Sequence, residues 1–232
     1  MTVSAQRTEV VRHDLLFRVC HWSIFVEGIL LVLSGFELGG ILGGALLPIS
    51  NVTFHVLVGI IFMATAAIYA VGILAGGDYR WVSLRRVPYS FRFILSETKG
   101  WFAISPPPTN PIAYDADKRE YQEKLVPSVI VVFWAFALFG IALALTGLSL
   151  AFPGQFGPVY WVTNLIGSTL TGATGVAVML SLHRLLTYAL ILLVMMHIYA
   201  SFIFKLVTSM ITGRRSEKVV LPQVARVTPD EK

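Results

Sequence analysis

Five histidines, His13, His21, His55, His183 and His197, hold most of the chemical reach of this 232-residue chain. His183 and His197 stand 14 residues apart. On one helix that is about four turns, nearly the same face, and about 21 Å of axial rise. An imidazole inside an apolar helix is costly and normally has a partner or a task. Partners exist at both depths: His21 opens the first apolar stretch, level with His197, and His55 opens the second, level with His183. Two imidazoles converging from different helices of a bundle are the usual axial pair of a non-covalently held b haem. Two such pairs predict two haem b groups, one in each leaflet. For any one histidine, the alternative is a core side chain bonded to Ser, Thr or backbone; four of them paired by depth weigh against it. His13 lies in a polar segment and reads as a surface residue. No Cys-x-x-Cys-His string is present to attach a haem covalently. The single cysteine, Cys20, excludes an internal disulfide and a four-thiolate cluster, and reads as a small buried side chain.

The elements that position these histidines must lie in an apolar solvent. The chain is 56% hydrophobic and 13% charged, far more apolar than a soluble domain of its length. Crossing the hydrocarbon core takes about 20 apolar residues as a helix, and four stretches qualify, at about 17–38, 52–76, 126–152 and 176–207. The first contains Glu27 and Glu37, the second no charge, and Arg184 is the only charged residue from Leu125 to Phe204. The predicted fold is all-α: an integral membrane four-helix bundle over 1–212, followed by a polar, mobile tail over 213–232.

Charge sets the expected orientation. Seventeen of the eighteen Lys and Arg residues lie by the start of the first stretch, in the connection 77–125, or from the end of the fourth stretch onward. The opposite connections, 39–51 and 153–175, hold no Lys or Arg. Cytoplasmic segments retain positive charge, so both termini and the long connection are expected in the cytoplasm of a multi-pass protein of the cell (inner, plasma) membrane. The net charge of +5 is then a topology signal in a lipid bilayer and calls for no nucleic acid. A signal peptide ending near Gly43-Gly44-Ala45 is a competing reading of the N-terminus, but its removal would take His21 with it.

Within the cytoplasmic connection, aromatic and basic residues mixed over 79–101 suggest a helix against the membrane surface. Pro106-Pro107-Pro108 and Pro111 then forbid one, and the densely charged 115–124 leads into the third stretch. On the other side, Pro153, Gly154, Gly157 and Pro158 break the chain before the interfacial pair Tyr160-Trp161. Gly28, Gly35, Gly59 and Gly147 leave room for a haem face or a close helix contact. Arg184 adjoins a proposed ligand, where a haem propionate would explain its cost; pairing with Glu37 is the alternative. Glu27, about 9 Å inward of His21 along the helix, either relays protons or bonds a neighbouring helix.

In order along the chain stand Arg18-Val19-Cys20-His21-Trp22, Leu33-Ser34-Gly35-Phe36, His55-x-x-x-Gly59-x-x-Phe62, Leu145-Thr146-Gly147, and His183 with His197-Ile198-Tyr199-Ala200. Lys205 and Ser209-Met210-Ile211-Thr212-Gly213 follow. With these motifs the sequence resembles the di-haem cytochrome b (gamma) subunits of membrane-bound formate dehydrogenases. It is more distantly similar to the cytochrome b subunits of nickel–iron hydrogenases and of other molybdopterin oxidoreductases. The resemblance implies that His55 and His183 hold an outer haem and His21 and His197 an inner one, with Arg18 and Arg184 in the cofactor-binding set. It also implies a menaquinone or ubiquinone site beside the inner haem, to which Asn110 and Gln122 would contribute. Its partners would be an iron–sulfur subunit and a catalytic subunit, so the chain transfers electrons and reduces quinone but does not oxidise the primary substrate. The Tyr-Asn-x-x-Gln-Lys segment that often leads into the family's third helix is split here between Asn110-Pro111-Ile112-Ala113-Tyr114 and Tyr121-Gln122-Glu123-Lys124. Asn51 stands where hydrogenase relatives often carry Arg, which tilts the reading toward formate dehydrogenase. A transporter or haem-free anchor, the rival class, would show inverted repeats and broken helices around a midplane site; the sequence has neither.

Overall fold

The computed structural model describes residues 7–43 and 51–220. Their elements, in order, are β1 (Arg7–Val11), α1 (Leu15–Leu38), α2 (Asn51–Ala75), α3 (Val87–Trp101), β2 (Ala113–Asp115) and β3 (Glu120–Glu123). There follow α4 (Ser128–Ala151), α5 (Gly157–Ile166), α6 (Gly175–Ile203), α7 (Val207–Thr212) and β4 (Arg214–Val220). Helices α1, α2, α4 and α6 are long and apolar enough to cross a membrane, and they coincide with the four expected spans to within about a turn. The described chain divides into two units, 14–79 with 132–207, and 7–13 with 80–131 and 208–220.

The first unit holds α1, α2, most of α4, α5 and α6. Few of its side chains are buried, because the apolar faces point outward: Leu57, Ile61, Ile68 and Val71 make one exposed stripe along α2, and Leu185, Leu192, Met196 and Tyr199 another along α6. In water such stripes would be untenable; in lipid they are the rule, since the helices satisfy their own backbone polar groups. Helix ends are set locally. Asp14 caps α1 by accepting from the Phe17 backbone N–H at 2.7 Å, and Thr174 caps α6 by accepting from that of Ala177 at 3.3 Å. The expected break at Pro153–Pro158 is followed by α5, a helix that sequence pattern alone does not indicate. It is pinned by the Tyr160 hydroxyl donating to the Ser149 carbonyl at 3.0 Å and by Asn164 Oδ1 accepting from the Gly175 N–H at 2.9 Å. A Cβ on Gly175 would lie 2.1 Å from Asn164 Oδ1, so that contact requires glycine.

The second unit contains α3 and a four-stranded sheet in the order β1-β4-β2-β3. β1 and β4 are antiparallel, with Arg7 opposite Lys218 and Val11 opposite Arg214. β2 and β3 form an antiparallel hairpin, and β2 runs parallel to β4 with Tyr114 opposite Val219. This corrects the expectation of a mobile tail after Thr212: Arg214–Val220 is β4, held on both edges. The rest of that segment, 221–232, lies outside the described residues, as does most of the connection 39–51. The charged stretch 115–124 is likewise largely the β2–β3 hairpin. Two ion pairs, one buried and one half-buried, tie the unit together. Arg12 pairs with Glu217, both under 5% exposed as side chains, and donates to the Lys124 carbonyl at 2.7 Å. Arg86 pairs with Glu123 and donates to the Trp81 carbonyl at 3.1 Å. Burial pushes the Tyr121 phenol up to about 12, against the pull of Arg12, so it stays a donor to Glu217 at any physiological pH.

Candidate metal centre

The four intramembrane histidines meet in twos within the first unit. The rings of His21 on α1 and His197 on α6 have centroids 6.2 Å apart, and those of His55 on α2 and His183 on α6 are 6.3 Å apart. Two imidazoles bound to opposite faces of one metal, with metal–nitrogen bonds of about 2.0–2.1 Å, have centroids roughly 6.3 Å apart. Both pairs match that spacing. Because α6 runs unbroken from Gly175 to Ile203, the two pairs are about 21 Å apart along its axis.

The His55/His183 pair is held with a fixed tautomer. His55 Nδ1 lies 2.8 Å from the Ser34 hydroxyl, and His183 Nδ1 lies 2.7 Å from the Thr146 hydroxyl. Each hydroxyl already donates its one proton to a carbonyl a turn back, Ser34 to Leu30 at 2.7 Å and Thr146 to Ala142 at 2.8 Å. Acceptance from the imidazole is the role that completes this geometry; in that tautomer Nδ1 carries the proton and Nε2 presents a lone pair. That is the arrangement by which an outer hydrogen bond orients a metal-bound histidine. A glycine follows each hydroxyl residue: a Cβ on Gly35 would come within 3.3 Å of His55 Cε1, and one on Gly147 within 3.3 Å of His183 Cε1. The same dipeptide device, hydroxyl then glycine, thus serves both rings from α1 and α4. In the sequence, Ser34 and Thr146 stand within motif strings that give neither hydroxyl a role; the repetition Ser34-Gly35 and Thr146-Gly147 is the signal that could have assigned it. At the other pair, the His197 ring abuts Phe136 edge-on at 5.6 Å and His21 abuts Trp22 at 5.7 Å, and His21 Nδ1 is buried with no hydrogen-bond partner.

Among the described residues no three His, Cys, Asp or Glu side chains converge on one point. Ligands that come strictly in twos suit a metal whose remaining positions are filled by a macrocycle. Gly28 fits the same picture, since it lies seven residues from both His21 and Gly35 and a Cβ there would meet nothing within 4 Å. Gly59 instead faces Leu31, at 3.8 Å from a built Cβ.

A family model described as prokaryotic cytochrome b561 matches residues 12–213. The chain belongs to the prokaryotic cytochrome b561 family. No curated protein and no solved structure matches it. As a cytochrome b561-family protein it is a b-type cytochrome of the membrane, an electron-transfer subunit that associates with an oxidoreductase complex, and the paired imidazoles fit the haem b that membership implies.

The other expected site residues fare unevenly in this cytochrome. Arg184 is exposed beside His183 and makes no ion pair among the described residues; the alternative pairing with Glu37 is not formed. Arg18 lies one turn before His21, and its Nε donates to the Asp14 carbonyl at 3.3 Å. Glu27 Oε1 accepts from the Thr65 hydroxyl of α2 at 2.9 Å, while its Oε2 is buried with no hydrogen-bond partner. Asn110 and Gln122 belong to the other unit. Asn110 Oδ1 accepts from the Ile112 N–H at 3.0 Å, and Gln122 Nε2 reaches Asp115 at 3.5 Å, so both serve their own loop.

Losing the acceptor on Thr146 tests the tautomer argument. Thr146→Val keeps the shape and removes the hydroxyl; haem retention at the His183 site is expected to weaken about 10–100-fold, the usual cost of an outer-shell partner. Dialysis against an apo-haem scavenger, followed by absorbance, measures it, and retention equal to the parent would sink the argument.

Proposed function

We propose that the chain is the membrane subunit that carries electrons from an iron–sulfur partner to menaquinone or ubiquinone through two b haems, one held by His55 and His183 and one by His21 and His197. The observation that carries this reading is the repeated ring spacing of 6.2 and 6.3 Å at two levels of one helix. When bound, haem supplies reversible one-electron storage. The chain's own residues do the rest: Ser34 and Thr146 fix the protons on two ligands, Gly35 and Gly147 admit the rings, and Arg184 is free to meet a propionate. The one-sided basic residues support a cytoplasmic position for both termini, which puts the His21/His197 pair at the cytoplasmic level and the quinone site, with Asn110 and Gln122 as candidates, on that side.

The order of motifs supports a formate dehydrogenase-type complex, while the family match suits a nickel–iron hydrogenase equally well. Membranes containing the complex discriminate: b-haem absorbance reduced by formate, and not by hydrogen, supports the first, and the reverse result replaces it. The purified subunit is expected to yield two haems per chain in a pyridine haemochrome assay, with no covalent attachment. A value of one or none in fully loaded complex would falsify the two-site reading. A reporter fused near Gly154 should report the outside and one after Lys99 the cytoplasm; a cytoplasmic signal at Gly154 overturns the orientation.

A further inference from the structure

Helix α3 buries a serine while leaving large apolar side chains exposed on its other side. Ser90 is fully buried, and its hydroxyl donates to the Pro127 carbonyl. Glu97, two turns on and on the same face, receives a hydrogen bond from Ser128, and burial there pushes its carboxyl up. The inner face of α3 is therefore fastened to Pro127 and Ser128, where α4 begins its crossing of the bilayer. On the opposite face, Phe91 is 58% exposed and Leu95 56% exposed. Trp101, Phe102 and Ile104 continue this apolar surface past the helix end, each more than 70% exposed. Arg85, Arg92 and Lys99 border it, whereas Glu97, the only acid between Leu84 and Ile104, lies on the inner face.

An outward apolar stripe edged by cations, on a helix fixed at the level where a neighbouring segment enters the membrane, matches an in-plane interfacial helix. The edging is one-signed, and an anionic surface is its complement. We propose that α3 is a binding site for anionic phospholipid: Phe91, Leu95 and Phe102 enter the acyl boundary while Arg92 and Lys99 hold phosphate-bearing headgroups. Through Ser90 and Glu97, the occupant would steady the entry of α4. The site rests on α4 being a membrane span and is independent of which substrate the partner enzyme oxidises.

The test uses the full chain with its haem, alone and in the complex isolated from membranes. It carries a nitroxide at Leu95→Cys on a Cys20→Ser background, in nanodiscs of phosphatidylcholine or of an equimolar mixture with phosphatidylglycerol. Oxygen should reach the label more readily than a water-soluble nickel chelate. Titrating phosphatidylglycerol into detergent-solubilised protein should immobilise the label, and Arg92→Gln with Lys99→Gln should weaken that response about thirtyfold, from about fivefold per cation near an anionic surface. Preferential access by the nickel chelate would place the face in water and overturn the proposal. Exclusion of both quenchers in the complex would overturn it in favour of a protein partner, and a response indifferent to phosphatidylglycerol would overturn the headgroup assignment. If the labelled chain loses its haem, quenching by brominated phosphatidylglycerol in the parent and in Trp101→Phe decides the same question: the Trp101 contribution must be quenched for the proposal to stand.

Discussion

Replacing His183 by alanine is expected to remove one of the two b haems proposed for each chain, and replacing His197 to do the same at the other level. In the proposed arrangement each imidazole would be one of two protein ligands, and removal of one leaves the opposing ring facing a gap it cannot bridge from 6.2 or 6.3 Å. The two variants should differ in function. His183→Ala should stop reduction by the substrate of an externally placed partner while the remaining haem still accepts electrons backwards from a quinol analogue. His197→Ala should abolish quinone reduction while the haem between His55 and His183 is still reduced from the enzyme side. Added imidazole should restore the missing absorbance in either variant by filling the vacated ligand position, which separates ligand loss from collapse of the bundle. Identical behaviour of the two variants in both directions, at equal haem content, would defeat the two-level arrangement.

The second large effect lies outside the membrane spans. Glu217→Ala should destabilise the sheet unit by about 3–5 kcal/mol, the usual cost of leaving a buried charge unpaired. Arg12, with its side chain 3% exposed, would keep the Lys124 carbonyl as an acceptor but lose the carboxylate that neutralises it. Amide hydrogen exchange along β1 and β4 measures the loss, since both strands share the Arg7-to-Lys218 ladder. The double change Arg12→Met with Glu217→Leu should recover most of it, because well-packed apolar groups replace a buried pair at little or no cost. Fast exchange in the double variant, equal to that of Glu217→Ala, would mean that the pair contributes more than mutual neutralisation.

How much of this is legible in the sequence follows the range of the interactions concerned. The four spans and the pairing of the histidines rest on composition and on helical periodicity, both local, and both can be read from the chain. Ser34 and Thr146 are polar residues whose role appears only when another helix delivers an imidazole to them, so a linear reading meets them inside motif strings without the partner that gives them a task. The sheet is hidden for a related reason. β1 and β4 lie about two hundred residues apart in the chain, and each is charged and short, with nothing in its own pattern to announce a partner. Arg214–Val220 looks like a solvated tail until Glu217 is set against Arg12. α5 escapes notice because Pro158, which reads as a break, stands at the start of the helix, where proline is well tolerated.

That α6 carries one histidine of each pair makes the stretch from His183 to His197 a ruler. Every residue inserted there turns the far ligand by about 100° and moves it about 1.5 Å, so a single insertion would swing His197 away from His21, whatever the identity of the added side chain. Adding a whole heptad would bring the ligand back to nearly its original face but lengthen the interval between the pairs by about 10 Å. A change of length between the two histidines therefore disturbs the pairing in a way that a substitution of one side chain for another does not. The connection over 77–125 shares no helix with a histidine pair and is under no such gauge, so additions or losses in this chain's length are expected to collect there and to spare the interior of the last span.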